Sequence, residues 1–332
     1  MTEKSSATST LLSVSEAASS AAVARLLENA PVFLQPWWLE AVGGDACRYV
    51  VVWRGNEAAA AMPIFLKGER LGAPRILMPP STHTLGPWFR KLEGSYPTRS
   101  ADQKVLMAEL IEGLPEFSYF GQQFHRVVTN WLPFFWQGFT QTTRYTYVLP
   151  DLSDLEAVWD GFTGAIRRNI RKAGKTVKVE EDSDIDRFFE IHEKTFARQG
   201  ESAPHSREFL TRLDGACAEH GARKILFAVD QQGRTHAATF FIYSESSTIY
   251  LLSGADPELR SSGANCAVIW EGIQFASTVS KEFDFAGSMI EPIERFFRRF
   301  GARQVPYSQI TKVNRSRLGR ALRAGVSAFR SA

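Results

Sequence analysis

The chain has 332 residues, which at a rule of ~150 residues per domain points to two domains. Its hydrophobic fraction of 44% is enough to fill real cores, and its charged fraction of 23% is ordinary for a globular protein. Three scattered cysteines and six scattered histidines show no CxxC, HExxH or similar spacing, which argues against a disulfide scaffold and against a metal centre.

The net charge is only +3, but it is unevenly distributed. Residues 161–179 hold six basic side chains and no acid, and residues 295–332 hold ten and again no acid, which leaves the remainder net acidic. Two concentrated basic segments suggest an anionic partner that docks at defined places. The competing reading is two solvated helix faces.

Along the chain, MTEKSSATSTLLSVSEAASSAAVARLLENA reads as a flexible lead into a helix over 14–28, without a signal-peptide pattern. No apolar run reaches the ~18 residues of a membrane span, so a cytoplasmic, reducing location is the expectation. CRYVVVWRGNEAAAAMPIFLK reads as a hairpin turning at Arg54-Gly55-Asn56, and MPPSTHTLGPW is loop. A helix over 102–114, strands over 117–128 and 143–149, and an aromatic connector, WLPFFWQGF, complete the first half.

In the second half, Leu155, Val158, Trp159, Phe162, Ile166 and Ile170 form one apolar stripe, predicting a single helix that runs to about Lys175. Helices over 184–199 and 207–220 follow, then three strands in ARKILFAVDQQGRTHAATFFIYSESSTIYLLSGAD. A helix over 264–278, a strand in KEFDFAGS, a short helix over 291–300 and a basic amphipathic helix over 314–329 end the chain. YVVVWRGNEAAAAMPIFL and ILFAVDQQGRTHAATFFIY share one pattern of apolar strand, polar turn and Ala-rich strand start, which suggests a duplicated α+β unit with its boundary near Pro150.

An ordered set of segments carries a resemblance. FLQPWWLEAV, MPPSTHTLGPW and FFWQGFTQTTRYTYVLPDL in the first half, then IRRNIRKAGK, LLSGADPELRSSGANCAVIWEGI and FDFAGSMIEPIERFFRRFGA, together resemble the FemABX-like branch of the GNAT superfamily. The resemblance implies an α+β fold of two tandem GNAT-like domains, each a twisted, mostly antiparallel sheet flanked by helices, with a cleft between them. The expected division is a lead and helix over 1–30, a first domain over 31–150, a second over 151–312, and a basic C-terminal helix over 313–332. Relatives form amide bonds, the best known by moving an aminoacyl group from aminoacyl-tRNA to the amine of a cell-wall precursor. The helical-hairpin insertion that some of them use on tRNA is missing here.

Acetyl-CoA-dependent relatives hold pyrophosphate on a Q/R-x-x-G-x-G/A loop opening a helix, where backbone N–H groups face the anion. Here Arg260 and Gly263 match and Asn265 replaces the last small residue, which weakens the acyl-CoA reading; a plain helix N-terminus explains the loop equally well. Neither donor would be a permanently bound cofactor.

Acyl transfer to an amine needs a deprotonated nucleophile, a donor to the oxyanion and tight positioning. Asp284, at a strand end, is the candidate to orient the amine, helped by Ser288 and with Glu291 beyond; a cap for the helix at 291 is the alternative. Arg167, Arg168, Arg171 and Lys172 suit a phosphate-bearing donor, while Trp38, His83, Arg144 and Tyr145 are candidates for the acceptor side. No Ser-His-Asp or Cys-His arrangement is visible, so direct transfer is expected. The alternatives are an acyl-CoA-dependent N-acyltransferase on a small amine or amino sugar, and a non-catalytic protein docking on anions or, through its C-terminal helix, on a membrane surface.

Overall fold

The computed structural model describes residues 8–68, 73–197, 200–287 and 289–314. The expected C-terminal helix and Ser288 lie outside these. Two compact units emerge, one from the chain up to Arg144 together with the segment from Tyr307, the other from Tyr145 to Pro306. The boundaries fall inside strands rather than in linkers, at positions other than Pro150 and 312.

Unit 1 opens with β1 (Thr8–Ser13), α1 (Val14–Ser19), α2 (Ala21–Leu27) and α3 (Pro36–Gly43). The Ser/Thr-rich lead is thus partly a strand, paired antiparallel on β2 (Cys47–Arg54) from Thr8↔Trp53 to Ser13↔Arg48. The expected helix over 14–28 is two helices, because Ser20 leaves the helical region and caps the second through its hydroxyl on Val23 N–H. β2 turns into β3 (Glu57–Lys67) through Gly55 at φ +60°, and β4 (Arg75–Leu77) and β5 (Trp88–Phe89) both pair antiparallel with β3. α4 (Tyr96–Glu112), β6 (Tyr119–Gln123), α5 (Leu132–Trp136) and the start of β7 (Thr140–Leu149) follow. Phe117, Phe120, Phe124, Phe134 and Phe139 pack with Leu106 and Leu110 of α4 into the core.

Unit 2 takes up β7 at Tyr145 and continues with α6 (Leu155–Gly161), α7 (Gly164–Ala173), β8 (Val177–Glu181), α8 (Ile185–Ala197) and α9 (Arg207–Glu219). The predicted single helix is broken at Phe162, whose backbone is extended (ψ 141°). Its ring is buried between Trp159, Trp270 and Phe300, and Thr163 N–H donates to Arg299 O at 2.9 Å, so aromatic burial and a tertiary hydrogen bond outweigh helix continuity.

The remaining strands of unit 2 are β9 (Arg223–Asp230), β10 (Thr235–Tyr243), β11 (Ser247–Ala255) and, after α10 (Ala264–Val279), β12 (Glu282–Asp284). In this unit the strand order is β7-β12-β11-β10-β9-β8, with only β11 and β12 parallel. α11 (Glu291–Arg298) leads to β13 (Arg303–Val313), which passes back into unit 1 and pairs with β6 from Gln309↔Gln123 to Val313↔Tyr119. Sequence reading misses β13 because Pro306 interrupts its pattern; that proline precedes the first rung on β6, so its missing N–H costs no bond on that side.

Candidate functional site

In unit 2, β11 and β12 run side by side for three rungs, Ser247↔Glu282, Thr248↔Phe283 and Ile249↔Asp284. β12 ends there and β11 continues to Ala255, so from Tyr250 onward one edge of β11 has no strand beside it. At the same level β11 is bulged. Phe240 pairs Leu252 and Phe241 pairs Tyr250, leaving Leu251 as the extra residue. A bulge takes backbone groups out of the ladder and re-aims them. The fork between the two strands therefore leaves backbone groups of β11 outside the ladder.

The end of β11 leads to the rim of this fork. Residues Arg260–Ser262 make one 3-10 turn, Gly263 adopts φ +84°, and α10 begins at Ala264 with no side-chain cap. A side chain at 263 would meet Asn169 O at 2.5 Å, so this glycine is required both by its conformation and by the close approach of α7. Lys172 Nζ donates to Ser261 O at 2.5 Å, and Asn169 Nδ2 lies 3.8 Å from Cys266 Sγ. The structure thus brings together two groups that were separate in the sequence, the 260–265 loop and the basic helix. In the chain, the last six residues of β11 and residues 256–259 lie between the fork and the loop.

Around the rim, Arg168, Arg171 and Lys172 are exposed; Arg171 also lies over the Trp159 ring at 5.7 Å. Arg167 turns instead toward Asp160 at 3.3 Å. Arg260 is exposed, and Asn265 has its Oδ1 buried without a hydrogen-bond partner. Cys266 is a neutral thiol, pushed up to about 11 by burial, and burial likewise raises Cys47 and Cys217 to about 12. None of the three is poised as a thiolate nucleophile.

Asp284 closes the base of the fork. Phe283 and Phe285 on either side of it are buried, as strand alternation requires. Its Oδ1 accepts from Thr146 Oγ1 and, at 2.8 Å, from Ala286 N–H, so it caps the 284–286 turn and not α11, whose N-cap is Ile290. Ala286 (φ +58°) and Gly287 (φ +65°) bend this loop tightly, and a side chain at 287 would meet Tyr145 O at 2.3 Å. Tyr145 therefore contributes backbone to the site. Glu291 is an exposed member of an i,i+4 pair with Arg295 at 2.6 Å.

The remaining candidates lie in unit 1. Trp38 is fully buried, with Nε1 donating to Thr82 Oγ1 at 3.0 Å, so it anchors the 78–88 loop and does not face a substrate. His83 packs on Phe33 with ring centroids 5.6 Å apart. Arg144 donates to Tyr307 Oη at 3.4 Å and Gln309 Oε1 at 3.0 Å, tying β7 to β13. Sequence reading missed Leu251 and Asn169. The first is visible only through pairing register, and the second carries a backbone role that no side chain announces.

The model of the family "Acetyltransferase (GNAT) domain" matches residues 162–298, a span that holds the basic helix, the fork, the loop and Asp284. No curated protein matches the sequence significantly. Among solved structures, FemX superposes with TM-score 0.63 at 13% identity, covering 88% of this chain and 93% of that one. A tandem GNAT protein of the clavulanic acid biosynthesis pathway gives TM-score 0.55 at 10% identity over 92% and 98%. L-PGS from Bacillus licheniformis gives 0.53 at 14% over 88% and 91%. Residues 162–298 thus match a GNAT acetyltransferase domain and the fold is similar to that of FemX, which together support an acyltransferase.

Proposed function

We propose that this acyltransferase moves an aminoacyl group from aminoacyl-tRNA to an amine, forming an amide bond directly. The observation that carries the reading is the docking of α7 on the 260–265 loop, through Lys172 on Ser261 and Asn169 on Gly263. It sets Lys172 beside the start of α10, within a row of exposed cations, Arg168, Arg171, Lys172 and Lys175. That row is longer than a single pyrophosphate needs, and it suits the successive phosphates of a nucleic-acid end. FemX, L-PGS and the C-terminal domain of a putative lysylphosphatidylglycerol synthetase share the fold, which supports aminoacyl chemistry by analogy alone.

In this reading the helix N-terminus and the α7 cations hold the donor's phosphates, and its arm runs along β11. The bulged backbone at Leu251 donates to the oxyanion, and Asp284, fixed by Thr146 and Ala286, orients the acceptor amine. The amine attacks the acyl carbon, the tetrahedral intermediate collapses, the ester bond to the donor's 3′ oxygen breaks, and that oxygen takes up the proton lost by the amine. Acceptors in this class are peptides, cell-wall precursors or natural-product intermediates.

A second reading keeps the same machinery with acyl-CoA as donor, favoured by the GNAT match and by Gly263 at the start of α10. Mass-spectrometric detection of amide products separates the two, with charged tRNAs in one reaction, acetyl-CoA in another and a mixed amine library in both. Product from the tRNA reaction alone supports the proposal. Product from acetyl-CoA alone replaces it with the second reading.

A further inference from the structure

A separate feature lies in unit 1. Tyr96, Arg99, Ser100, Gln103 and Lys104 recur at helical spacing and form one face of α4. With Arg90 and Trp131 they line a groove of about 720 Å³ that holds three cations and no carboxylate. Arg99 is held in place by donating to Gly94 O at 2.6 Å. No ion pair of Arg90, Arg99 or Lys104 is recorded among the described residues.

α5 stands at the lip of this groove. Its Pro133 and Phe134 are buried, while Leu132, Phe135 and Trp136 point outward with 41, 56 and 63% of their surface exposed. Tyr96, across the groove, is 75% exposed. Groove and aromatic lip are one surface: Trp131 packs edge-on against Phe135 at 5.5 Å, and Lys104 Nζ sits 6.0 Å from the Trp136 ring. Single exposed apolar side chains need no explanation, but four in one patch beside unpaired cations do.

We infer that this α4–α5 face docks on an anionic lipid bilayer. Tyr96 and Trp136 are amphipathic rings suited to the headgroup level, Leu132 and Phe135 suit the acyl boundary, and Arg90, Arg99 and Lys104 meet the lipid phosphates. Nucleic acid is the less fitting occupant, because Leu132, at the centre of the lip, offers no face on which a base could stack. The inference does not depend on the identity of the acyl donor.

Vesicle co-sedimentation of the full chain tests it, using phosphatidylcholine alone and an equal mixture of phosphatidylcholine and phosphatidylglycerol. Binding to the mixed vesicles only is expected, weakening with salt. R99E/K104E should reduce it by about tenfold or more, since each cation near an anionic surface contributes on the order of a factor of five. F135S/W136S should reduce it without changing its salt dependence. All four positions are on the surface, and unchanged circular dichroism and turnover of soluble substrates show that the variants are folded. Absence of binding to the mixed vesicles overturns the inference, as does equal binding by both variants. So does competition of the same patch by RNA with no vesicle binding, which would assign the face to nucleic acid.

Discussion

The two units repeat one plan and spend it differently. Each has an antiparallel hairpin, β2–β3 and β9–β10, turned at a positive-φ glycine, Gly55 or Gly233, and each hairpin carries a register shift close to its turn. Each then has a helix connecting two parallel strands, α4 between β4 and β6 and α10 between β11 and β12. The contrast lies in that last element. β4 is three residues long, and α4 starts at Tyr96-Pro97, where proline removes one of the donors a helix N-terminus offers. β11 is nine residues long and bulged, and it delivers a helix opened by Gly263. In the proposed reading the donor's arm needs strand length beyond the fork, and unit 2 supplies it in β11.

The largest test of this asymmetry is replacement of Arg168, Arg171 and Lys172 together by Ala. Donor-dependent turnover should fall by about a hundredfold or more, as expected for losing several charge-assisted phosphate contacts, and the salt dependence of donor binding should flatten. The matching change in unit 1, Arg90 and Arg99 to Ala, should leave turnover on soluble substrates unchanged. An equal loss from both would dissolve the contrast.

Next in size is Gly263→Val, which adds left-handed strain and a clash with Asn169 O, and should cost about 2–4 kcal/mol in denaturant unfolding. Gly55→Ala faces only conformational strain, with open space around it, and should cost about 1 kcal/mol. Asp284→Ala should lose about 1–2 kcal/mol from its hydrogen bonds to Thr146 and Ala286. Asp284→Asn should keep most of that stability through the remaining acceptor oxygen and still lower kcat, if the carboxylate orients the amine.

A further contrast separates the units by pH. Burial lowers His125 in unit 1 and His205 in unit 2 from 6.5 to about 4, with Arg126 and His192 reinforcing the shift respectively. Both are neutral when folded, and the unfolded chain binds the extra protons first. Stability is therefore complete above pH 6.5 and declines as pH falls from 6.5 to about 4. His125→Gln should flatten that decline in unit 1 alone, read by the urea midpoint of its tryptophans, while His205→Gln should act on unit 2.

How much of this is legible in the sequence depends on the range of the interaction. The hairpins, the duplication, α10 and the alternation at Asp284 follow from patterns a few residues wide. β1, β8 and β13 do not, since Ser/Thr, charged and Pro-containing stretches become strands only when a neighbouring strand presents its edge. The site divides in the same way. Basic helix, glycine loop and strand-end carboxylate were each visible as residue types, but Trp38, chosen from its motif, proves to be a buried anchor. Glu291 proves to be half of a surface pair.

By itself, the sequence determined the composition of this protein's chemistry: cations in two blocks, scattered cysteines, and a helix opened by Gly263. Tertiary structure alone decided that α7 lies against that opening, that Leu251 is the bulged residue, and that Asp284 is spent on a turn and on Thr146 of β7. The physical reason is that charge and local conformation are properties of short segments. Strand register and the packing of Asn169 on Gly263 arise only between segments far apart in the chain, where the burial of both partners selects one arrangement.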